Sequence, residues 1–230
     1  MNREILQPEN AYLQETIKQV TSRLISKVNT GYGSEQVPRL GIYSLMLEYT
    51  PMIVYDHPVL AKMCDTAFTD GQRVYWYAPF LAKLFQEDRK AKEEKTGKVS
   101  FLPILLHELT HIALNHAQRT PVLRSVIEVN SDDDNHGVVR KAILSDEDIF
   151  FSKLAKEYAV NAIVTATLRD LRNQANNQNS YLPGESFSQG VGTTEEDCDK
   201  YFGLAEQHIE VLLRQEMLEQ YRQQQSRQSG

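Results

Sequence analysis

The sequence predicts an α+β fold, mainly helical, with a small β-sheet next to one buried helix. Three observations carry this expectation. Apolar residues recur at three- and four-residue steps in several stretches, an Asp-Gly turn stands between segments of high strand propensity, and a strongly apolar helical stretch contains His107-Glu108-Leu109-Thr110-His111. With 230 residues, 41% hydrophobic and 24% charged, the chain can bury a sizeable core and lies far from the composition of a disordered one. A single domain over 1–230 is expected, its core at 10–215 and a flexible tail at 222–230.

In chain order, Leu13, Ile17, Val20, Leu24 and Val28 share one face of an opening helix, which Thr30-Gly31-Tyr32-Gly33-Ser34 ends. Between Leu40 and Tyr55 the residues are apolar, β-branched and aromatic with Pro51 inside, which fits either a helix and a strand or two strands. Asp70-Gly71 between Ala67-Phe68-Thr69 and Val74-Tyr75-Trp76-Tyr77 signals a hairpin. Pro79 to Phe85 starts a short helix, and the charge-dense run from Gln86 to Lys98 reads as a solvated face or loop. Ser100 can cap a largely buried helix whose first turn tolerates Pro103 and whose apolar residues run from Phe101 to Leu114.

Asp132-Asp133-Asp134-Asn135-His136-Gly137 has no apolar period and lacks the ligand spacing of a calcium loop, so an exposed loop is expected. Helical periodicity returns from Asp146 to Leu171. Asn173 to Gln189, rich in Asn, Gln and Ser with Pro183-Gly184 inside, reads as a loop. Thr194 can cap a final helix running through Ile209, Leu212 and Leu213, and the Gln-rich tail after Tyr221 is expected to fray.

Charge and cysteine content exclude several function classes. A formal net charge of −6 argues against a nucleic-acid partner, which needs clustered Lys and Arg. Cys64 and Cys198 are far apart and outside any metal-type spacing, which fits a reducing compartment. The polar start and the lack of a long apolar run predict neither a signal peptide nor a membrane span, hence a cytoplasmic protein.

The chemistry concentrates at His107, Glu108 and His111. On a helix, His107 and His111 stand one turn apart and project from the same side, so their imidazoles can take two corners of a tetrahedral Zn2+ site. Glu108 beside them can accept a proton from water activated by that metal, the role of a catalytic base in peptide-bond hydrolysis. Two imidazoles and a carboxylate on an otherwise apolar helix would be costly to bury without partners, which favours a metal over satisfied core histidines.

Catalytic zinc usually takes a third protein ligand. His116, nine residues beyond His107, falls about half a turn off the motif face of an unbroken helix and reads as a surface or outer residue. Glu157, a charge among residues that otherwise read as buried, is the better candidate, with Asp146, Glu147 and Asp148 as fallbacks. Asn161, one turn from Glu157, could orient the site; Tyr158 could stabilise an oxyanion, although a tyrosine at such spacing is more often core.

The order of these motifs resembles the metallopeptidase-like domain found ahead of a von Willebrand factor A-like domain in bacterial and phage proteins. Thr69-Asp70-Gly71 with Tyr75-Trp76-Tyr77-Ala78-Pro79-Phe80 looks like that family's hairpin and following turn, with Ala78 where Asn is usual. The stretch from His107 to His116, with Arg119 after it, looks like its zinc helix. Ala155-Lys156-Glu157-Tyr158-Ala159-Val160-Asn161 resembles its Ala-Ala-Asp-Tyr-Ala-Ile-Asn segment, with Glu157 at the Asp position, and Leu182-Pro183-Gly184 and Thr194-Glu195-Glu196 continue the likeness. The resemblance spans roughly Ala67 to Tyr201. It implies a zincin-like domain, a zinc metallopeptidase with a peptide or protein substrate, and a von Willebrand A-like or ATPase partner on another chain. A second expectation is a metal-stabilised binding or assembly subunit of a phage or ATPase-linked complex with little or no hydrolysis.

Overall fold

The computed structural model describes residues 8–30, 38–94, 101–119, 146–177 and 195–228. Its opening helix, α1 (Pro8–Thr30), buries Leu13 and Ile17 and half-buries Val20, as their spacing predicts. The ambiguous stretch resolves into a helix and a strand, α2 (Pro38–Tyr49) and β1 (Met52–Tyr55), with Pro51 at the junction, where no ladder hydrogen bond is lost. A short α3 (Pro58–Met63) leads to the predicted hairpin of β2 (Ala67–Thr69) and β3 (Val74–Tyr77). Asp70 holds the turn, its Oδ1 accepting from the Gln72 and Arg73 N–H groups at 2.9 and 2.8 Å.

The sheet order is β1-β3-β2, with β1 parallel and β2 antiparallel to β3. The outer edge of β1 is closed by one side chain: Gln14 Nε2 donates to Met52 O at 2.6 Å, and Val54 N–H donates to Gln14 Oε1 at 2.9 Å. A carboxamide here does what a neighbouring strand would do, which blunts an edge open to unwanted pairing. The other edge strand, β2, packs against the motif helix.

α4 (Ala78–Glu94) is longer than the short helix expected, because Gln, Glu, Lys, Arg and Ala in the charged run are good helix formers; of that run Gln86, Glu87, Arg89, Lys90, Glu93 and Glu94 are exposed, Ala91 is buried, and residues 95–98 lie outside the described residues. The motif helix is α5 (Phe101–Ala113); Ser100, its expected cap, lies outside the described residues, and the Phe101 N–H donates to Asp88 Oδ2 of α4 at 3.4 Å. α6 (Asp146–Asn177) runs past the expected loop start at Asn173. The Asp-rich stretch at 132–137, Pro183-Gly184 and Thr194 also fall outside the described residues.

The single final helix expected after Thr194 is two helices, α7 (Glu195–Tyr201) and α8 (Glu206–Gln228). Gly203, at φ +81, takes the left-handed conformation that stops the first. The tail expected to fray from 222 is helical to Gln228, since Gln and Arg carry high helix propensity.

Two cores flank α6. In the first, Val160, Val164 and Leu168 meet Leu105, Leu106 and Leu109 of α5, Val74 and Trp76 of β3, and Leu81 and Leu84 of α4. In the second, Phe151, Ala155, Ala159 and Ala162 meet Cys198, Tyr201, Ile209 and Leu213 of α7 and α8. Among the described residues no helix is long and apolar enough to cross a membrane.

Trp76 is wholly buried against Phe101, ring centroids 5.1 Å apart, yet its Nε1–H has no hydrogen-bond partner among the described residues. An unmet buried donor costs about 1–3 kcal/mol. Trp76→Phe removes that donor while keeping most of the apolar contact, so its stability should lie within about 1.5 kcal/mol of wild type, against a loss of about 3–5 kcal/mol for Trp76→Ala, measured by urea unfolding.

Candidate metal centre

α5 is buried on most sides, through Phe101, Pro103, Leu105, Leu106, Leu109 and Thr110. Thr110 faces α2, its Oγ1 donating to Leu106 O at 2.7 Å and lying 2.6 Å from Tyr43 Oη. The remaining side carries His107 and His111, and Glu157 of α6 stands opposite them. The two imidazole Nε2 atoms are 3.0 Å apart, and Glu157 places Oε2 at 3.2 Å from His107 Nε2 and Oε1 at 3.4 Å from His111 Nε2. These three residues form a group that could hold a metal ion.

The hydrogen bonds on the far side of each ring set its protons. His107 Nδ1 lies 3.0 Å from Asn161 Oδ1, which can only accept, so His107 carries its proton on Nδ1 and turns a bare Nε2 inward. Asn161 is almost fully buried and one turn from Glu157, so α6 supplies both a candidate ligand and the group that orients another. His111 Nδ1 lies 2.8 Å from His116 Nδ1, and His116 Nε2 lies 3.0 Å from Glu206 Oε1 at the start of α8. Because the Glu206 carboxylate accepts, His116 is protonated on Nε2, its Nδ1 accepts from His111, and His111 also turns a bare Nε2 inward. Two nitrogen lone pairs and a carboxylate therefore converge with no donor between them. A cation, or in its absence an extra proton, is what such a set requires.

The charge balance follows the same logic. Without a cation the extra proton is favoured at His107: burial alone would lower its pKa, but Glu157, which accepts from Nε2 once that atom is protonated, and the Glu108 and Glu157 charges outweigh it, and the imidazole is raised above its ordinary value. Burial pulls Glu157 upward, but the two imidazoles facing its oxygens prevail and hold it well below the usual carboxylate range. Burial pushes the Glu108 carboxyl up, with the Glu157 charge adding to it against the two imidazoles. Solvent reaches the group: the Glu157 side chain is 36% exposed and each motif imidazole 13%.

Of the two places expected for His116, the surface or behind the ligands, it takes the second, against the imidazole of His111. It is buried, because α5 ends at Ala113 in a Schellman turn: Asn115 adopts φ 55, its N–H bonds Ile112 O at 2.9 Å, and the His116 N–H bonds His111 O at 3.0 Å. The turn folds His116 back over the imidazole of His111. Asn115 was the sequence signal for it, since Asn is the residue after Gly that best tolerates the left-handed conformation. The hairpin closes on the same turn, where a Cβ built on Gly71, at φ +90, would meet the Ala117 Cβ at 2.9 Å. Gly71→Ala is expected to cost about 2 kcal/mol in urea unfolding, from backbone strain and from displacing Ala117.

The fallback carboxylates do other work. Asp148 and Glu147 lie 2.8 and 3.6 Å from the guanidinium of Arg214, and Asp146 is exposed at the first turn of α6. Tyr158 belongs to packing, not to the metal group: its ring meets Tyr201 edge-on at 4.9 Å beside the second core. Glu206, 90 residues from His116, carried no signal in the sequence that would place it here. Comparison of the chain with protein-family models, with curated proteins and with solved structures finds no match in any of the three.

Proposed function

We propose that this chain is a zinc-dependent metallopeptidase, a zincin-like domain in which His107, His111 and Glu157 hold Zn2+ and Glu108 is the catalytic base. The observation that carries the reading is the convergence of two bare Nε2 atoms and the Glu157 carboxylate, with Glu108 next to them in the chain. The fit to zinc is one of size and donor type. Two imidazole nitrogens and a carboxylate oxygen suit a borderline ion, and bonds of about 2.0–2.1 Å in a tetrahedron put the donors about 3.3 Å apart. The two Nε2 atoms are 3.0 Å apart, each Glu157 oxygen lies against one ring, Oε2 3.2 Å from His107 and Oε1 3.4 Å from His111, and with one donor atom from each residue the group lies within 4.8 Å. Three protein donors, partly open to solvent, match a catalytic site more closely than a closed structural one.

Zinc held there would supply a Lewis acid that polarises a scissile carbonyl and acidifies water. The remaining steps belong to the chain. Glu108 takes a proton from the attacking water and returns it to the leaving amine, so one peptide bond and one water become a carboxylic acid and an amine. Asn161, 3.0 Å from His107 Nδ1, keeps that imidazole aimed at the group. β2, the edge strand against α5, can pair with an extended peptide and lay its carbonyl beside the group. The resemblance of the motif order to that of metallopeptidase-like domains supports the same chemistry.

The test is metal analysis of the purified chain together with casein and unfolded-peptide hydrolysis. One zinc per chain with turnover that stops on chelation supports the reading. No zinc after reconstitution overturns it, and one zinc with no cleavage of any substrate would make the chain a metal-stabilised binding subunit.

A further inference from the structure

Beyond the metal group, one polar chain links it to the start of α8. His111 Nδ1 meets His116 Nδ1 at 2.8 Å, and His116 Nε2 meets Glu206 Oε1 at 3.0 Å, so an α5 side chain is tied through a buried histidine to the first residue of α8. Glu206 is held in turn. Arg119 Nη1 donates to the same Oε1 at 3.0 Å and to Leu114 O at 3.1 Å, and the buried Lys156 donates to His116 O at 3.3 Å. The carboxylate also sits in the first turn of α8, where the helix dipole favours negative charge.

We propose that His116 and Glu206 are positioning residues for the metal, not ligands: Glu206 fixes the tautomer of His116, and His116 in turn fixes the ring and tautomer of His111, whose Nε2 is thereby committed to the ion. This inference rests on the metal reading above. It assigns His116 a different role from the one its closeness to the motif suggests, because its two nitrogens are both spent, one on His111 and one on Glu206. It also makes the grip on the metal depend on α8, an element that contributes no ligand.

The experiment measures zinc affinity by chelator competition, with stoichiometry at saturating zinc, on the full chain and its variants. His107→Ala reports the metal reading itself, since it should bind no zinc. His116→Phe keeps the ring shape without nitrogen and should still bind one zinc, about 10–100-fold more weakly, the loss typical of removing an outer partner of a ligand. His116→Asn restores an acceptor close to the Nδ1 position and should recover most of that loss, which a merely space-filling histidine would not predict. Glu206→Ala should approach His116→Phe, and Glu206→Gln, which keeps an accepting oxygen, should fall between it and wild type. Long-range 1H–15N spectra of the zinc-loaded wild type should show His116 protonated on Nε2 and His111 on Nδ1, a readout that holds even if a variant does not fold. Wild-type affinity in His116→Phe, equal weakening in His116→Phe and His116→Asn, or the opposite tautomers would overturn the proposal. Complete loss of zinc at saturation in His116→Phe would make it a ligand instead, and absence of zinc from the wild type would overturn the metal reading and this inference with it, whereas the outcomes above overturn the inference and leave the metal reading standing.

Discussion

Replacing His107, His111 or Glu157 by alanine is expected to abolish zinc binding, and with it the stabilisation that zinc confers. A ligand that binds only the folded chain adds stability in proportion to the logarithm of its excess over Kd, about 4 kcal/mol at a thousandfold excess. For a chain of this length that corresponds to a rise in Tm on the order of 10 °C. Wild type should therefore lose about that much on chelation, whereas each of the three variants should melt at one temperature with or without chelator. One donor atom from each of the three residues lies within 4.8 Å of the others, so removing one residue leaves two, too few to hold zinc at micromolar concentration. Asp148→Ala is the control: its partner is Arg214, so it should keep one zinc per chain. A full zinc complement in Glu157→Ala would show that the third donor lies elsewhere.

Glu108→Gln is expected to separate metal from chemistry. Glu108 is buried beside the two imidazoles, and glutamine has nearly its volume, so zinc content and Tm should stay at wild-type values. What is lost is the proton acceptor, and general-base removal costs about 10²–10⁴-fold in rate. On the proposed mechanism the loss appears in kcat, with KM little changed, because there the side chain acts on the attacking water, not on the bound peptide. Activity within tenfold of wild type would remove Glu108 from the mechanism; loss of zinc from Glu108→Gln would make its role one of holding the site together.

Much of the local structure was legible because it depends on neighbours in sequence. The spacing of Leu13, Ile17 and Val20 is a helix face wherever the helix packs, and Asp70-Gly71 makes its turn from its own backbone hydrogen bonds. The long apolar run of α5 announced burial, and within it His107 and His111 share a face by helical geometry alone. Glu157 was legible by a different route, as a charge that burial would penalise unless something compensated it. Helix ends were read less well. Asn173, Gly203 and the tail after Tyr221 all sit where propensity and capping compete, and there α6 and α8 ran longer than composition suggested.

The sequence by itself determined the chemistry on offer: an apolar helix with two imidazoles on one side, a carboxylate beside them, and a second helix bringing another carboxylate and an amide one turn apart. Tertiary structure decided which donors meet. Glu157 and Asn161 reach α5 because Val160, Val164 and Leu168 of α6 pack into the core that holds α5, leaving the polar positions at its rim. His116 turns inward because Asn115 reverses the chain, and Glu206 arrives from 90 residues away because α8 packs on α6. The physical reason is range. Periodicity and capping are settled by hydrogen bonds within a few residues, whereas the pairing of distant side chains depends on how whole helices share a core, which no local pattern encodes.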